Sequence, residues 1–340
     1  MTTQIWLERT GGPAVLQARN LDRTAPGPGP GPGPGQVWLE HEAIGVNYLD
    51  VTQRKGAVPM PLPGGLGLEG AGTIAALGEG VTDFVIGDRV AYALGPLGAY
   101  ADGRVYPADR LLKLPDDLAA RDAAAILFKG LTAHYLITAT YPVTKGTVVL
   151  LYGVAGAVGQ ILARWARHLG ATVIGVVSRP ESIAAGKAAG CAAVLVWGRD
   201  DLPEGVRAAT GGRKADVVYD AIGRDTFETS LNCLRPRGLM VSFGASSGTP
   251  DPVAVDTLNS KGSLYLTRPG LAAHIADIGE YRARAKAVFD AVAAGVIVPN
   301  IWRTYPLAEA AQAHADIEGG HSRGAVMLTP RAGRSDPLPD

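Results

Sequence analysis

Short apolar runs broken by Gly, Pro and Asp fill the first third of the chain, as in QVWLEHEAIGVNY, GAGTIAALG and DRVAYAL. Runs of that length between turn residues predict strands, so residues 1–122 read as a β-rich domain. The texture changes after Leu114-Pro115. DLAARDAAAILFKGLTAHYLITAT is Ala-rich with apolar residues at helical spacing. Strand and helix patterns then alternate: VVLLYG, AVGQILARWARHLG, TVIGVVS, PESIAAGKAAG and AVLVW, followed by DVVYDAIG and LMVSFG. Continuous Val/Ile/Leu runs between amphipathic helices predict a parallel sheet covered on both faces, an α/β doubly wound Rossmann domain over 123–262. Residues 263–332 return to mixed structure, with a helix in IGEYRARAKAVFDAVAAG and a closing strand in RGAVMLTP; 333–340 read as a flexible tail. GPGPGPGPG (27–35) cannot form a central strand, because Pro lacks a donor, and reads as an exposed loop.

Composition narrows the function classes. The 340 residues carry 32 Lys+Arg and 32 Asp+Glu, so no global basic field favours nucleic acid or an anionic membrane. Cys191 and Cys233 are the only cysteines and cannot form a four-cysteine zinc site. The N-terminus, MTTQIWLERTGG, lacks the basic-then-apolar pattern of a signal peptide, and no apolar run is long enough to span a bilayer. The cytoplasm is the expected compartment.

The strongest local motif is VVLLYGVAGAVGQILARWARHLG: an apolar strand, a Gly-rich turn and a helix with Val158, Ile161, Leu162, Trp165 and Leu169 on one face. This is the arrangement that binds a dinucleotide. Gly156 lets the backbone approach a pyrophosphate, Ala157 and Val158 open a helix whose N-terminal N–H groups attract the anion, and Gly159 allows the helix to pack on the strand. Val154 stands where the usual pattern has its first glycine, with Gly153 beside it. The second strand ends in Ser178-Arg179 rather than in an acid. A hydroxyl and a guanidinium there favour the 2′-phosphate of NADPH over the bare ribose of NADH; the bland alternative for Arg179 is a solvated loop residue.

One further stretch, Gly67-Leu68-Glu69-Gly70-Ala71-Gly72, matches a Gly-His-Glu motif whose histidine is a zinc ligand, but has leucine at that position. With TGGPAVLQ, AIGVNYLD, GLGLEGAGTI, GDRVAYA, LGAYAD, FKGLTAHYL, VVYDAIGRDTFETSL, CLRPRGLMVSFGASSG and GSLYLTRP in order, the chain resembles the zinc-free quinone oxidoreductases of the medium-chain dehydrogenase/reductase superfamily, nearly end to end. The resemblance implies a GroES-like β-rich catalytic domain, an inserted Rossmann cofactor domain, an interdomain active cleft and a homodimer joined through the cofactor domains near Ser263–Thr267. It also aligns three zinc-ligand positions with Asn47, Leu68 and Phe128, none of which binds zinc. The six histidines show no paired ligand spacing.

By the same resemblance Asn47, Tyr48 and Asp50 form a loop facing nicotinamide and substrate, with Tyr48 the candidate proton donor; a half-buried packing tyrosine is the alternative. Lys129, Thr132 and Tyr135 fall where a helix starts into the cofactor domain, Thr132 near the nicotinamide amide and Tyr135 near ribose or phosphate. Asp220 and Gly223 end one strand, although Asp220 could equally cap the next helix. Phe243, Gly244, Ala245 and Ser246 end another and border the nicotinamide; Leu266, Thr267 and Arg268 form a later cofactor contact. Trp197 stacks near the adenine or fills the core at a strand end. Relatives carry an arginine at the position of Gly320, for which Arg323 is the nearest candidate here. The implied reaction is metal-free hydride transfer from NADPH to a quinone. The alternatives are reduction of an activated C=C bond, an NADPH-holding structural or RNA-binding role, and a zinc alcohol dehydrogenase.

Overall fold

The computed structural model describes residues 2–21 and 31–330. The tail at 333–340 and residues 27–30 of the Gly-Pro segment lie outside the described residues. The chain divides into two compact units. One comprises the residues up to Phe128 and those from Pro299 onward; the other is Lys129–Val298.

The first unit opens with β1 (Thr2–Leu7) and β2 (Gln17–Leu21), followed by β3 (Gln36–Val46), α1 (Tyr48–Lys55), β4 (Gly64–Gly65), β5 (Glu69–Leu77), β6 (Arg89–Ala93), β7 (Gly103–Pro107) and β8 (Leu112–Lys113). α2 (Ala120–Tyr135) continues as a π-helical turn to Thr140. β1 pairs with β2 and β4 in a small antiparallel sheet. β3 is long enough to pair with both β5 and β7. Val37 and Leu39, and beyond the register shift at His41/Ala43 Ile44 and Val46, join Ile5, Leu66, Val90, Tyr100 and Tyr106 in one apolar core.

The second unit contains β9 (Val148–Tyr152), α3 (Ala157–His168), β10 (Thr172–Val177), α4 (Ile183–Ala188), β11 (Ala193–Val196), α5 (Leu202–Ala209), β12 (Ala215–Asp220), α6 (Phe227–Cys233), β13 (Leu234–Ser242), α7 (Val255–Ser260), β14 (Tyr265–Thr267), α8 (Leu271–His274) and α9 (Ile278–Ala293). Its six strands are all parallel, in the order β11-β10-β9-β12-β13-β14. That is the doubly wound order, reversing direction between β9 and β12. The apolar runs that predicted buried strands supply the core: Leu150, Ile174, Val176, Val218 and Met240.

The chain then returns to the first unit as β15 (Ile301–Pro306), α10 (Ala310–Glu318) and β16 (Ala325–Thr329). β16 pairs with β3 and with β15, extending that sheet to the order β15-β16-β3-β5-β6-β8. Contacts within the chain thus divide it after Phe128 and Val298, where the sequence pattern suggested 122 and 262. The second displacement has a clear cause: β14 hydrogen-bonds to β13 as the edge of the Rossmann sheet, so 263–298 belongs to that unit.

Two buried histidines are held neutral. His41 Nδ1 lies 2.7 Å from the Ala101 carbonyl oxygen and so carries the proton, leaving Nε2 to accept from the Tyr92 hydroxyl at 2.9 Å. Burial lowers His41 to about 4, and burial beside the Arg54 guanidinium lowers His314 to about 3. Both folded values lie below the unfolded value near 6.5. The unfolded chain therefore takes up protons that the folded chain refuses, and the stabilisation present above pH 6.5 is lost as pH falls toward 4. Each histidine contributes a slope of up to about 1.4 kcal/mol per pH unit. The thermal midpoint should fall steadily from pH 7 to pH 5, before most carboxylates titrate. His314→Gln should have a shallower fall; a flat midpoint across that window would refute the assignment.

Candidate active site

The turn after β9 is shaped for an anion. Gly153 sits at φ 67°, the left-handed region that glycine adopts without strain, and a side chain there would meet nothing within 4 Å. The next residue, Val154, points into the core with no exposed surface, which explains why the motif's first glycine is displaced by one. Gly156 is the N-cap of α3 and offers no side chain to cover the first-turn N–H groups. Gly159 packs so closely that a Cβ would collide with the Gly153 carbonyl and lie 2.7 Å from the Val154 Cα. Ala157 and Val158 form the exposed side of that first turn, both half-buried. These residues fit a dinucleotide pyrophosphate on two counts: an uncapped helix N-terminus and open space above a glycine turn.

Strand register gathers the other expected residues at the same end of the sheet. β10 runs alongside β9, and the N–H groups of Gly153 and Val154 both donate to the Val176 carbonyl. Ser178 and Arg179 follow two residues on, both exposed just beyond β10. Trp197 follows β11, half-buried, its ring edge-on to Tyr152 at 6.3 Å. The segment after β13 folds over the end of β12: Phe243 N–H donates to the Asp220 carbonyl, and Ser246 N–H donates to the Ala221 carbonyl. Phe243 and Gly244 are half-buried and Ser246 is exposed. Arg268 Nη1 donates to the carbonyl oxygens of Ser242 and Gly244, each at 3.2 Å, so Thr267 and Arg268 join this cluster from β14. Leu266 remains partly exposed on the edge strand.

Asp220 is turned inward. It is fully buried, and its carboxylate accepts from Ile222 N–H (2.7 Å), Gly223 N–H (3.0 Å), Thr226 Oγ1 (2.7 Å) and Ser230 Oγ (2.8 Å). It ties the β12–α6 turn and brings Gly223, at φ 98°, against Gly248. Tyr135 is likewise withdrawn: 2 % exposed, it stacks flat on His274 at 4.3 Å. Lys129 and Thr132 do not start a helix. They lie in the later turns of α2 and are both buried, which also rules out a solvated Lys129.

In the first unit, Tyr48 and Asp50 are not in a loop. They form the first turn of α1, with Asn47 as N-cap. Asp50 is fully buried. Its Oδ2 accepts from the Asn47 N–H at 2.9 Å, one arm of a reciprocal capping box. Asn47 is buried as well, and its Nδ2 donates to Glu69 Oε2 at 2.9 Å. Tyr48 alone of the three is substantially exposed, at 37 %; partial burial raises its hydroxyl pKa, so it stays protonated at neutral pH. Arg323 is exposed in the turn before β16, its carbonyl accepting from Asn300 Nδ2.

Glu69 is the site residue that the motif reading passed over. It has no exposed surface; one oxygen accepts from Asn47 and the other from the Phe128 N–H at 2.7 Å. Gly45 leaves room for it, since a Cβ there would collide with the carboxylate and with the Ala124 carbonyl. The signal was present in Gly67-Leu68-Glu69: the glutamate remains where the histidine is gone. A zinc ion does not fit here. Asn47, Leu68 and Phe128 offer one amide and two hydrocarbons, with the amide bound to Glu69. Among the described residues no group of three His, Cys, Asp or Glu could hold a metal.

Residues 157–268 match the model described as "Zinc-binding dehydrogenase", and 33–116 match "Alcohol dehydrogenase GroES-like domain". The chain is 45 % identical over 334 residues to a 2-haloacrylate reductase of Burkholderia sp, covering 96 % of this chain and 98 % of the relative. It is 40 % identical to a quinone oxidoreductase of Pseudomonas aeruginosa, covering 97 % and 100 %. The solved quinone oxidoreductase of Escherichia coli complexed with NADPH superposes at a TM-score of 0.92 with 40 % identity, covering 96 % and 100 %. Full-length identity at this level, together with the doubly wound sheet and the leucine in the Gly-x-Glu motif, identifies the chain as a member of the quinone oxidoreductase family of the medium-chain dehydrogenase/reductase superfamily.

Proposed function

We propose that the protein is an NADPH-dependent quinone oxidoreductase that transfers hydride without a metal. The observation that carries this reading is the pairing of an open glycine turn and uncapped α3 N-terminus with Asn47, Leu68 and Phe128 at the zinc-ligand positions. Bound NADPH supplies the hydride; with one proton the quinone becomes a hydroquinone. The first-turn N–H groups of α3 hold the pyrophosphate, and Ser178 and Arg179 hold the 2′-phosphate. The Tyr48 hydroxyl donates a hydrogen bond to the acceptor oxygen as negative charge grows there. Asn47, anchored by Glu69, and Asp50 set the position of that tyrosine rather than meeting the acceptor themselves.

Reduction of an activated C=C bond is the second reading, favoured by the 45 % identity to a 2-haloacrylate reductase. The same hydride geometry serves both acceptors. A reductase drawing on the NADPH pool belongs in the cytoplasm. We also read β14 as the contact between two copies, because it ends the sheet with Tyr265 62 % exposed beside Leu266.

NADPH oxidation should be followed with 1,4-benzoquinone, 9,10-phenanthrenequinone and 2-chloroacrylate, with and without chelator. Chelator-resistant turnover of the quinones, with 2-chloroacrylate at least about tenfold slower in kcat/KM, is the expected result. The reverse order would move the assignment to a C=C reductase, and loss of activity in chelator would overturn the metal-free reading. Arg179→Ala should raise KM for NADPH about tenfold and leave KM for NADH within about twofold; equal effects on both cofactors would remove Arg179 from the phosphate site. Tyr265→Arg should sediment as a monomer where the parent protein is a dimer; an unchanged dimer would shift the contact elsewhere.

A further inference from the structure

The first turn of α1, which carries Tyr48, is held from behind by residues far away in sequence. Asp50 Oδ2 accepts from the Asn47 N–H and also from the Tyr100 hydroxyl at 2.9 Å. The Tyr100 oxygen lies 2.9 Å from Nε2 of His314, on α10. Tyr100 has one proton, and the carboxylate takes it. His314 must therefore donate, with its own proton on Nε2, so the hydrogen bonds run one way from α10 to Asp50. One helical turn further along both helices, Arg54 pairs with Glu318, and Lys55 reaches the same carboxylate at 3.2 Å. Asp50 and Arg54 are four apart on α1; His314 and Glu318 are four apart on α10. The two helices are thus linked at two successive turns, first through Tyr100 and then directly.

Asp50, Arg54, Tyr100 and His314 are all fully buried. Apolar side chains of similar volume would hold two helices together as well or better, because burying charged and polar groups costs their hydration. What the polar set adds is direction. It fixes the rotation of α1 about its axis and so the place of the side chain at its first position. We propose that His314 and Tyr100 are positioning residues for the reductase reaction, acting through Asp50 and Asn47 to fix Tyr48 against the acceptor. This rests on the reading of Tyr48 as the residue that meets the acceptor.

The test compares Tyr100→Phe, His314→Leu and His314→Gln with the parent protein. A fourth variant, Tyr106→Phe, removes a different buried tyrosine hydroxyl, which donates to the Leu94 carbonyl at 2.6 Å. Kinetics with NADPH and 1,4-benzoquinone are measured alongside the thermal midpoint and the NADPH dissociation constant from fluorescence. Tyr100→Phe and His314→Leu should lose about tenfold or more in kcat/KM for the quinone, a cost in keeping with a misplaced catalytic group, with NADPH affinity within about twofold. His314→Gln, which keeps an N–H near the Nε2 position, should recover most of that loss. Tyr106→Phe should lose thermal stability and keep kcat/KM. Parental kcat/KM in Tyr100→Phe and His314→Leu, with a fall in midpoint like that of Tyr106→Phe, would reduce the chain to packing and overturn the proposal. If Tyr100→Phe does not fold, the two His314 variants decide alone. A parent protein that binds NADPH and reduces no quinone would remove the reductase reading, and this proposal with it.

Discussion

A carboxyl group with no exposed surface must find hydrogen-bond partners, and Glu69 finds two, at Asn47 and Phe128, positions that align with zinc ligands of relatives. Its two oxygens join the Asn47 amide, ahead of α1, to the Phe128 backbone in the middle of α2. In zinc relatives these two positions would be joined through a metal and its cysteine ligands. Here hydrogen bonds do the joining, and the surrounding chain complies: Gly45 gives up its side chain so that the carboxylate fits. Glu69 thereby ties the segment that opens α1 to α2.

The second unit uses the same physics at another strand end. Asp220 is as buried as Glu69 and accepts from two backbone N–H groups and two hydroxyls, closing the turn that carries Gly223. Asp50 makes a third case, collecting the Asn47 N–H and the Tyr100 hydroxyl. Charge-assisted hydrogen bonds of this kind are stronger than neutral ones and directional, so each acid can fix a backbone segment. Buried acids orient the backbone, while Tyr48, Ser178 and Arg179 reach the surface.

That division explains what was legible in the sequence. Val/Ile/Leu runs report burial on both faces, so β9, β10, β12 and β13 could be read directly, and with them the strand ends at Ser178, Gly223 and Phe243. Glycine at 153, 156 and 159 reports backbone geometry, and the structure explains each of them, including the displaced first one. Burial of a polar residue leaves no such mark. Asp50 and Asp220 in a string of letters look like acids available for chemistry, and Tyr135 looks like an available hydroxyl; only the packing reveals that they are enclosed. Tyr100 and His314 are 214 residues apart and meet only because β16 pairs with β3, returning the segment that carries α10 to the first unit. No local pattern could have joined them. The edge strand β14 was placed with the cofactor domain by resemblance alone, because a three-residue strand has too short a pattern to report its neighbours.

Loss of the metal also constrains the chemistry. Zinc stabilises a developing alkoxide by several kcal/mol, roughly, and the groups at Asn47, Leu68 and Phe128 supply no such charge. An acceptor whose reduced form already spreads its negative charge needs less. A quinone does so into an aromatic ring, and an activated alkene does so into its carbonyl or carboxyl group. With the ligand positions filled by Asn47, Leu68 and Phe128, the site favours acceptors of this kind, and the remaining polar group must be placed accurately because it acts by hydrogen bonding, which weakens steeply with distance and angle. A site without a metal therefore depends more, not less, on the buried carboxylates that hold its helices.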